Sequence, residues 1–343
     1  MSLPPLPAQP SDVPWPTKAW PRGEQPSLPA RFEALIAEAL AAPDSPTLGQ
    51  THALLIAQRG RILFERYGAG FAAGDTFPSW SMAKSITHAL AGLIVADGVL
   101  DIDAPADVPE WRGANDPRAA ITLDHLLRMS SGLSFTEEYR PDQPSDVIEM
   151  LWGKGKDDVA AFAASFPLAH QPGTHMAYAS GSTNIVARCL ARAIRKVGPD
   201  FEAFMRARLF APLGMTSPIP KFDAAGTFIG SSFCFATAQD FARFGLLYLR
   251  GGVWEGRPLL PRAWIDYART PTYQQPGAVD GPYGAHWWLE TAGPGTFSAN
   301  GYDGQYIILA PDLDLILVRH GATPLDKKER LKAWVGEVVD CFR

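Results

Sequence analysis

Long apolar runs are missing from this 343-residue chain. With no stretch of about 18 consecutive apolar residues, a membrane-spanning helix is excluded. Cysteine is scarce: Cys189, Cys234 and Cys341 are odd in number and far apart, so neither a disulfide framework nor a CxxC metal site can be built from them. They are expected to be small buried hydrophobes. There is no dense block of Lys and Arg, and the net charge is −5. A nucleic-acid groove and a contact with an anionic membrane surface are therefore not expected. A basic segment followed by an apolar run is absent from the first residues, which predicts no signal peptide and a cytoplasmic protein. No G-x-S-x-G motif occurs, which argues against an α/β-hydrolase, and no Gly-rich phosphate loop follows a strand. There is no HExxH, and His170 and His175 are five apart, one more than a helical metal pair needs, so no metal is assigned.

What is present suits a globular protein. Apolar residues make up 46% and charged residues 20%, enough for a large core in two domains or one elaborate one. Gly and Pro, 31 of each, predict many turns and structured loops. Residues 1–29 are so rich in proline that they form neither helix nor central strand; they make an extended arm whose Trp15 and Trp20 pack on the body. A helix follows, with Phe32, Leu35, Ile36 and Leu40 at helical spacing. Thr51–Gln58 and Arg61–Tyr67 read as a hairpin across Arg59-Gly60. Helices are predicted from Met82 to about Ala96, after a Thr122 cap, from Ile185 to Val197, from Phe201 to Phe210, and from Ala238 to Arg250. A second hairpin, Tyr306–Ala310 with Asp314–His320, precedes a terminal helix containing Leu331, Trp334, Val335 and Val338. Isolated hairpins are unstable, so the two are expected to join in one antiparallel sheet. This gives an α+β fold: a discontinuous sheet domain from 30–80 and 291–343, flanked by N- and C-terminal helices, with a mostly helical domain, 81–290, inserted. The site belongs between the two.

The sharpest local signal is Ser81-Met82-Ala83-Lys84. A Ser and a Lys three apart at a helix start share one face. The free N–H groups and positive potential there favour an alkoxide and an oxyanion. A lysine desolvated at that position has a depressed pKa, suited to proton transfer. Alone, Ser-x-x-Lys also fits a helix cap followed by a solvated lysine.

The surrounding residues add to it. Phe77-Pro78-Ser79-Trp80-Ser81-Met82-Ala83-Lys84-Ser85 resembles the nucleophile motif of the class C β-lactamase and penicillin-binding-protein superfamily. The similarity continues in order through Asp97–Pro105, Ile121–Leu133, Pro172-Gly173-Thr174, Tyr178–Gly181, Pro212–Met215, Ala236–Gly245 and Gly301–Gln305. Within that superfamily the chain looks most like the esterase and amidase branch that includes 6-aminohexanoate-oligomer hydrolase. By this resemblance Ser81 is the nucleophile, Lys84 its proton acceptor, and Tyr178 shares the base role. The third motif, Tyr302-Asp303-Gly304, is expected on an edge strand facing the serine. There the N–H of Gln305 would join that of Ser81 in an oxyanion hole, and Gly304 would let the substrate approach closely. The resemblance implies no cofactor.

Two departures bear on the substrate. Tyr302 replaces a lysine that helps bind a carboxylate, and Ser180 replaces an asparagine that contacts a substrate amide, with Asn184 one helical turn further on as a substitute. Trp80, Trp152 and Trp287-Trp288 are candidates for an acyl pocket or for core packing. The expected activity is hydrolysis of small-molecule esters or amides through an acyl-Ser81 intermediate. A β-lactamase or D-alanyl-D-alanine-type peptidase, and a catalytically silent binding protein of the same fold, remain as alternatives. The loops at 134–170 and 270–300 should shape the pocket, and the oligomeric state is open.

Overall fold

A computed structural model describes residues 3–140, 142–272 and 281–343; part of the predicted pocket loop, 273–280, lies outside the described residues. The first helix, α1 (Ala30–Ala39), leads into the predicted hairpin, β1 (Gln50–Gln58) and β2 (Arg61–Tyr67). Four more strands come from the other end of the chain: β3 (Trp288–Leu289), β4 (Phe297–Gly301), β5 (Gln305–Ala310) and β6 (Leu315–Ala322). They form one six-stranded antiparallel sheet in the order β2-β1-β6-β5-β4-β3. The two hairpins meet where β1 pairs with β6, in a register that sets Leu54 opposite Arg319 and Ile56 opposite Leu317.

Alternation along β1 explains the layers. Leu54 and Ile56 point to one face, where Phe32 and Ile36 of α1 and Leu331, Trp334 and Val338 of the C-terminal helix cover them. Ala53, Leu55 and Ala57 point to the other face, into a larger core that takes in the central helices. Because both faces are covered, β1 is an almost unbroken apolar run.

Between the two halves of the sheet lie the other helices that matter for the site: α2 (Ala83–Ala96), α3 (Leu123–Leu127), α4 (Ser180–Ala193) and α5 (Ala238–Leu249); α6 (Lys328–Asp340) ends the chain. Ile86, Leu90, Leu93 and Ile94 form an apolar stripe along α2. Yet α2 is surrounded: Lys84, Ser85, Thr87 and His88 are buried with it. Burial of these polar side chains is tolerated because each has a partner. Ser85 Oγ donates to the His286 carbonyl at 2.8 Å, Thr87 Oγ1 to the Gly230 carbonyl at 3.0 Å, and His88 Nδ1 lies 2.8 Å from the Tyr248 hydroxyl.

The proline-rich arm lies along the body as expected. Trp20 is buried and donates to the Gln239 carbonyl at 3.1 Å, and Trp15 packs on Trp254 at 5.0 Å. Arg243 and Arg250 of the α5 region hold the arm's Pro16 carbonyl and Gln9 side chain. No helix among the described residues is long and apolar enough to cross a membrane.

Candidate active site

Ser81 sits in a short 3-10 turn, Trp80–Met82, that runs directly into α2. Two features hold this turn. Ser79 is buried, donates to the Ser232 carbonyl at 3.1 Å and accepts from Cys234 N at 3.0 Å. Trp80 has φ +42, a left-handed conformation costing a bulky residue about 1–3 kcal/mol. Strain is thus stored immediately before the serine.

One turn further on, Lys84 is fully buried, and its Nζ makes three contacts: Ser81 Oγ at 2.9 Å, Ser180 Oγ at 2.9 Å and the Ser231 carbonyl at 3.0 Å. It also lies 4.8 Å from the centroid of the Tyr178 ring. Burial pulls the ammonium down to about 8, against a smaller opposing pull from the Glu137 carboxylate. Ser81, Lys84 and Tyr178, which the sequence spreads over about a hundred positions, are therefore brought together around one nitrogen.

Ser81 and Tyr178 open on a cavity of about 380 Å³ whose walls include Tyr139, Trp288, Asn300, Gly301, Tyr302 and Asp303. Tyr178 is fixed in the wall by Tyr283 at 5.7 Å and Trp288 at 5.2 Å. Tyr139 and Tyr302 face one another at 5.0 Å.

Several expectations are corrected here. Tyr302-Asp303-Gly304 is not a strand but the turn between β4 and β5, with Asp303 at φ +59 and Gly304 at φ +78, and β4 is not the sheet edge because β3 pairs outside it. Gly304 lines the cavity, and a Cβ on it would meet Leu331 and Arg319; the glycine packed against the serine turn is Gly301, whose Cβ would meet the Ser79 carbonyl. Gln305 is fully buried, its amide donating to the carbonyls of Gly321 at 2.6 Å and Tyr302 at 3.1 Å. Ser180 and Asn184 are fully buried too, and neither lines the cavity. Ser180 faces Lys84, while Asn184 Oδ1 accepts from Ser231 N at 3.1 Å and so positions the carbonyl that Lys84 contacts. Of the tryptophans, Trp288 lines the cavity. Trp287 lies in the core against Tyr248, and Trp80 turns to Trp152, Phe233 and Tyr302 outside the lining.

Helix α4 begins five residues earlier than predicted. Its first N–H, that of Ser180, is taken by Glu137 Oε2 at 2.7 Å, a carboxylate supplied from a distant loop. This is favourable at the positive end of a helix, but no local pattern announces it. The helix stops at Ala193 because Arg195 adopts φ +54. Glu137 was not anticipated. Its only sequence signal is membership of the 134–170 segment expected to shape the pocket. Among the described residues no group of three or more His, Cys, Asp or Glu side chains is arranged to hold a metal ion.

Comparison with known proteins gives the family and the fold. The Beta-lactamase family profile matches residues 32–335. A 6-aminohexanoate-dimer hydrolase of Paenarthrobacter ureafaciens is 27% identical over 295 residues, covering 80% of this chain and 73% of that protein. Among solved structures, a candidate 6-aminohexanoate-dimer hydrolase from Bacillus anthracis superposes with a TM-score of 0.77 at 19% identity, covering 98% of this chain and 89% of the other. A family VIII carboxylesterase superposes with a TM-score of 0.66 at 14% identity, covering 92% and 99%. At those identities the structural matches establish the fold, α+β with the penicillin-binding arrangement. The chain belongs to the β-lactamase family of serine hydrolases.

Proposed function

We propose that this protein hydrolyses esters or amides of small carboxylic acids through an acyl-Ser81 intermediate. The observation that carries this reading is the 2.9 Å contact between Lys84 Nζ and Ser81 Oγ, with Ser81 lining the cavity. A lysine held near pH 8 by burial can accept the serine proton, which a solvated lysine cannot do at neutral pH. Ser81 Oγ attacks the carbonyl carbon as its proton passes to the Lys84–Tyr178 pair. That proton then goes to the leaving alcohol or amine as the bond to the acyl carbon breaks. Water, deprotonated by the same pair, resolves the acyl-enzyme and restores Ser81.

The oxyanion needs two N–H groups aimed at one point. One is that of Ser81. We assign the second to Tyr302 rather than Gln305, since Gly301 lies against the serine turn and Tyr302 lines the cavity while Gln305 is buried behind it.

Esters and amides are favoured over β-lactams because no lysine occupies the third motif. The relative named as a 6-aminohexanoate-dimer hydrolase and the neighbour named as a carboxylesterase point the same way. The test is turnover of p-nitrophenyl acetate and butyrate, 6-aminohexanoate dimer and a chromogenic cephalosporin by wild type and Ser81→Ala. Ester or amide turnover should exceed cephalosporin turnover, and the Ser81→Ala variant should lose on the order of a thousandfold or more in kcat. Wild-type activity in that variant would sink the proposal.

A further inference from the structure

We propose that Glu137 is a positioning residue that fixes the direction of the hydrogen bonds around Lys84, so that the lone pair of the neutral amine is aimed at Ser81. This rests on the acyl-Ser81 reading above.

The argument is one of valence. A carboxylate only accepts hydrogen bonds. Glu137 Oε1 lies 2.7 Å from Ser180 Oγ and Oε2 lies 2.7 Å from Ser180 N. The single hydroxyl proton of Ser180 is therefore committed to Glu137, and Ser180 Oγ can meet Lys84 Nζ, 2.9 Å away, only as an acceptor. The third partner, the Ser231 carbonyl, is an acceptor by nature. A neutral lysine has two N–H bonds and one lone pair. With both hydrogens claimed by Ser180 Oγ and the Ser231 carbonyl, the lone pair is left facing the remaining neighbour, Ser81 Oγ at 2.9 Å. Proton transfer then needs no rotation of the amine: the Ser81 O–H bond breaks, an N–H bond forms on Nζ, and the resulting ammonium donates to all three neighbours. Glu137, one hydroxyl away, faces the new positive charge.

Glu137 is itself held. Tyr139 donates to its Oε1 at 2.6 Å, and the α4 N-terminus supplies the Ser180 N–H. Other groups near Lys84 include the Tyr178 ring and the imidazole of His286, which burial lowers to about 3, against a smaller opposing effect of its contact with the Leu127 carbonyl, so that it is neutral where Lys84 titrates.

Glu137→Gln provides the test because it keeps shape while reversing polarity. An amide that keeps its oxygen on the backbone N–H of Ser180, whose proton cannot rotate away, presents N–H to the two hydroxyls of Ser180 and Tyr139, which can; the Ser180 proton then turns toward Lys84 and a lysine hydrogen toward Ser81. For p-nitrophenyl butyrate we expect kcat to fall on the order of 100-fold with KM changed less than about threefold. The acid limb of the kcat/KM profile should move to lower pH, since a negative charge facing Lys84 has gone. Ser180→Ala, which removes the relay and keeps the helix, should lose activity comparably. The double variant should be no worse than Ser180→Ala alone, because the two act in one chain. A Glu137→Gln enzyme with wild-type kcat and an unmoved acid limb, beside an inert Ser81→Ala control, would overturn this inference alone; so would an active Ser180→Ala, or losses that simply multiply. An active Ser81→Ala control would overturn the underlying reading and this inference with it.

Discussion

Lys84 and Arg319 are both completely buried cations, and they are treated in opposite ways. Lys84 stands behind Ser81 at the cavity wall, with its pKa lowered to about 8 by burial and one of its three contacts reserved for a hydroxyl that reacts. Arg319 lies in β6 on the far side of the Tyr302–Gly304 turn. Its guanidinium donates to the carbonyls of Gly304 at 2.8 Å and Gln50 at 3.2 Å and to the Thr323 hydroxyl at 2.9 Å. Burial lowers it as well, only to about 10, so it stays charged at any physiological pH. The difference teaches what each residue type is for. A compact ammonium with a movable proton is placed where a proton must move. A rigid fork of donors is placed where the strand ends β1 and β6 and the active-site turn must be held together.

Exchanging each cation for an apolar chain of similar length separates these roles most sharply. Lys84→Met should lose on the order of a thousandfold or more in kcat, with an unfolding free energy lowered by no more than about 1–2 kcal/mol, since removal of a desolvated charge offsets the donor lost to the Ser180 hydroxyl and the Ser231 carbonyl. Arg319→Met should lose more stability, about 3–5 kcal/mol, because buried carbonyls and hydroxyls lose their donor. Urea unfolding beside kcat for both variants decides it; equal stability losses would erase the distinction.

Buried neutral bases extend the comparison. His286 and His320 are held down to about 3 by burial, below the ordinary 6.5 of an unfolded histidine. As pH falls the unfolded chain binds the protons first. Stability should therefore be full above about pH 6.5 and decline toward pH 3 by about 1.4 kcal/mol per pH unit per histidine. Urea midpoints at pH 7 and pH 5 measure this, and a flat profile would show that these imidazoles are accessible to protons in the folded state.

The smallest effect is on rate. The free-amine form of Lys84 accepts the serine proton, so kcat/KM should rise about tenfold per pH unit below pH 8 and level off above it. An acid limb centred near pH 6.5 would shift the base role to another group.

Much of this fold was legible because it follows local rules. The hairpins at 51–67 and 306–320 are pairs of apolar runs around short turns. The Thr237 cap of α5 shows in its side chain, which accepts from Asp240 N. Ser81 and Lys84 share a face by helix spacing alone. What escaped depends on contacts between distant segments. Phe297–Gly301 becomes a strand because its neighbours cover it, not through a run of β-branched residues. The turn at 302–304 needs Asp303 in a left-handed conformation, which an aspartate permits but does not announce. Ser180 and Asn184 read as substrate contacts in the sequence and are instead interior struts. Glu137 is one acidic residue in an acidic loop until α4 is docked above it.

The pairing of β1 with β6 has a consequence in time. Strand β1 ends at Gln58 and β6 begins at Leu315, so during synthesis the first strand waits on the order of tens of seconds for its partner, at about 5–20 residues per second. Ser81 and Lys84 emerge early, while Gly301 and Tyr302, opposite them, emerge late. The nascent chain therefore carries its nucleophile without the wall that would hold a substrate. It becomes chemically competent only near completion.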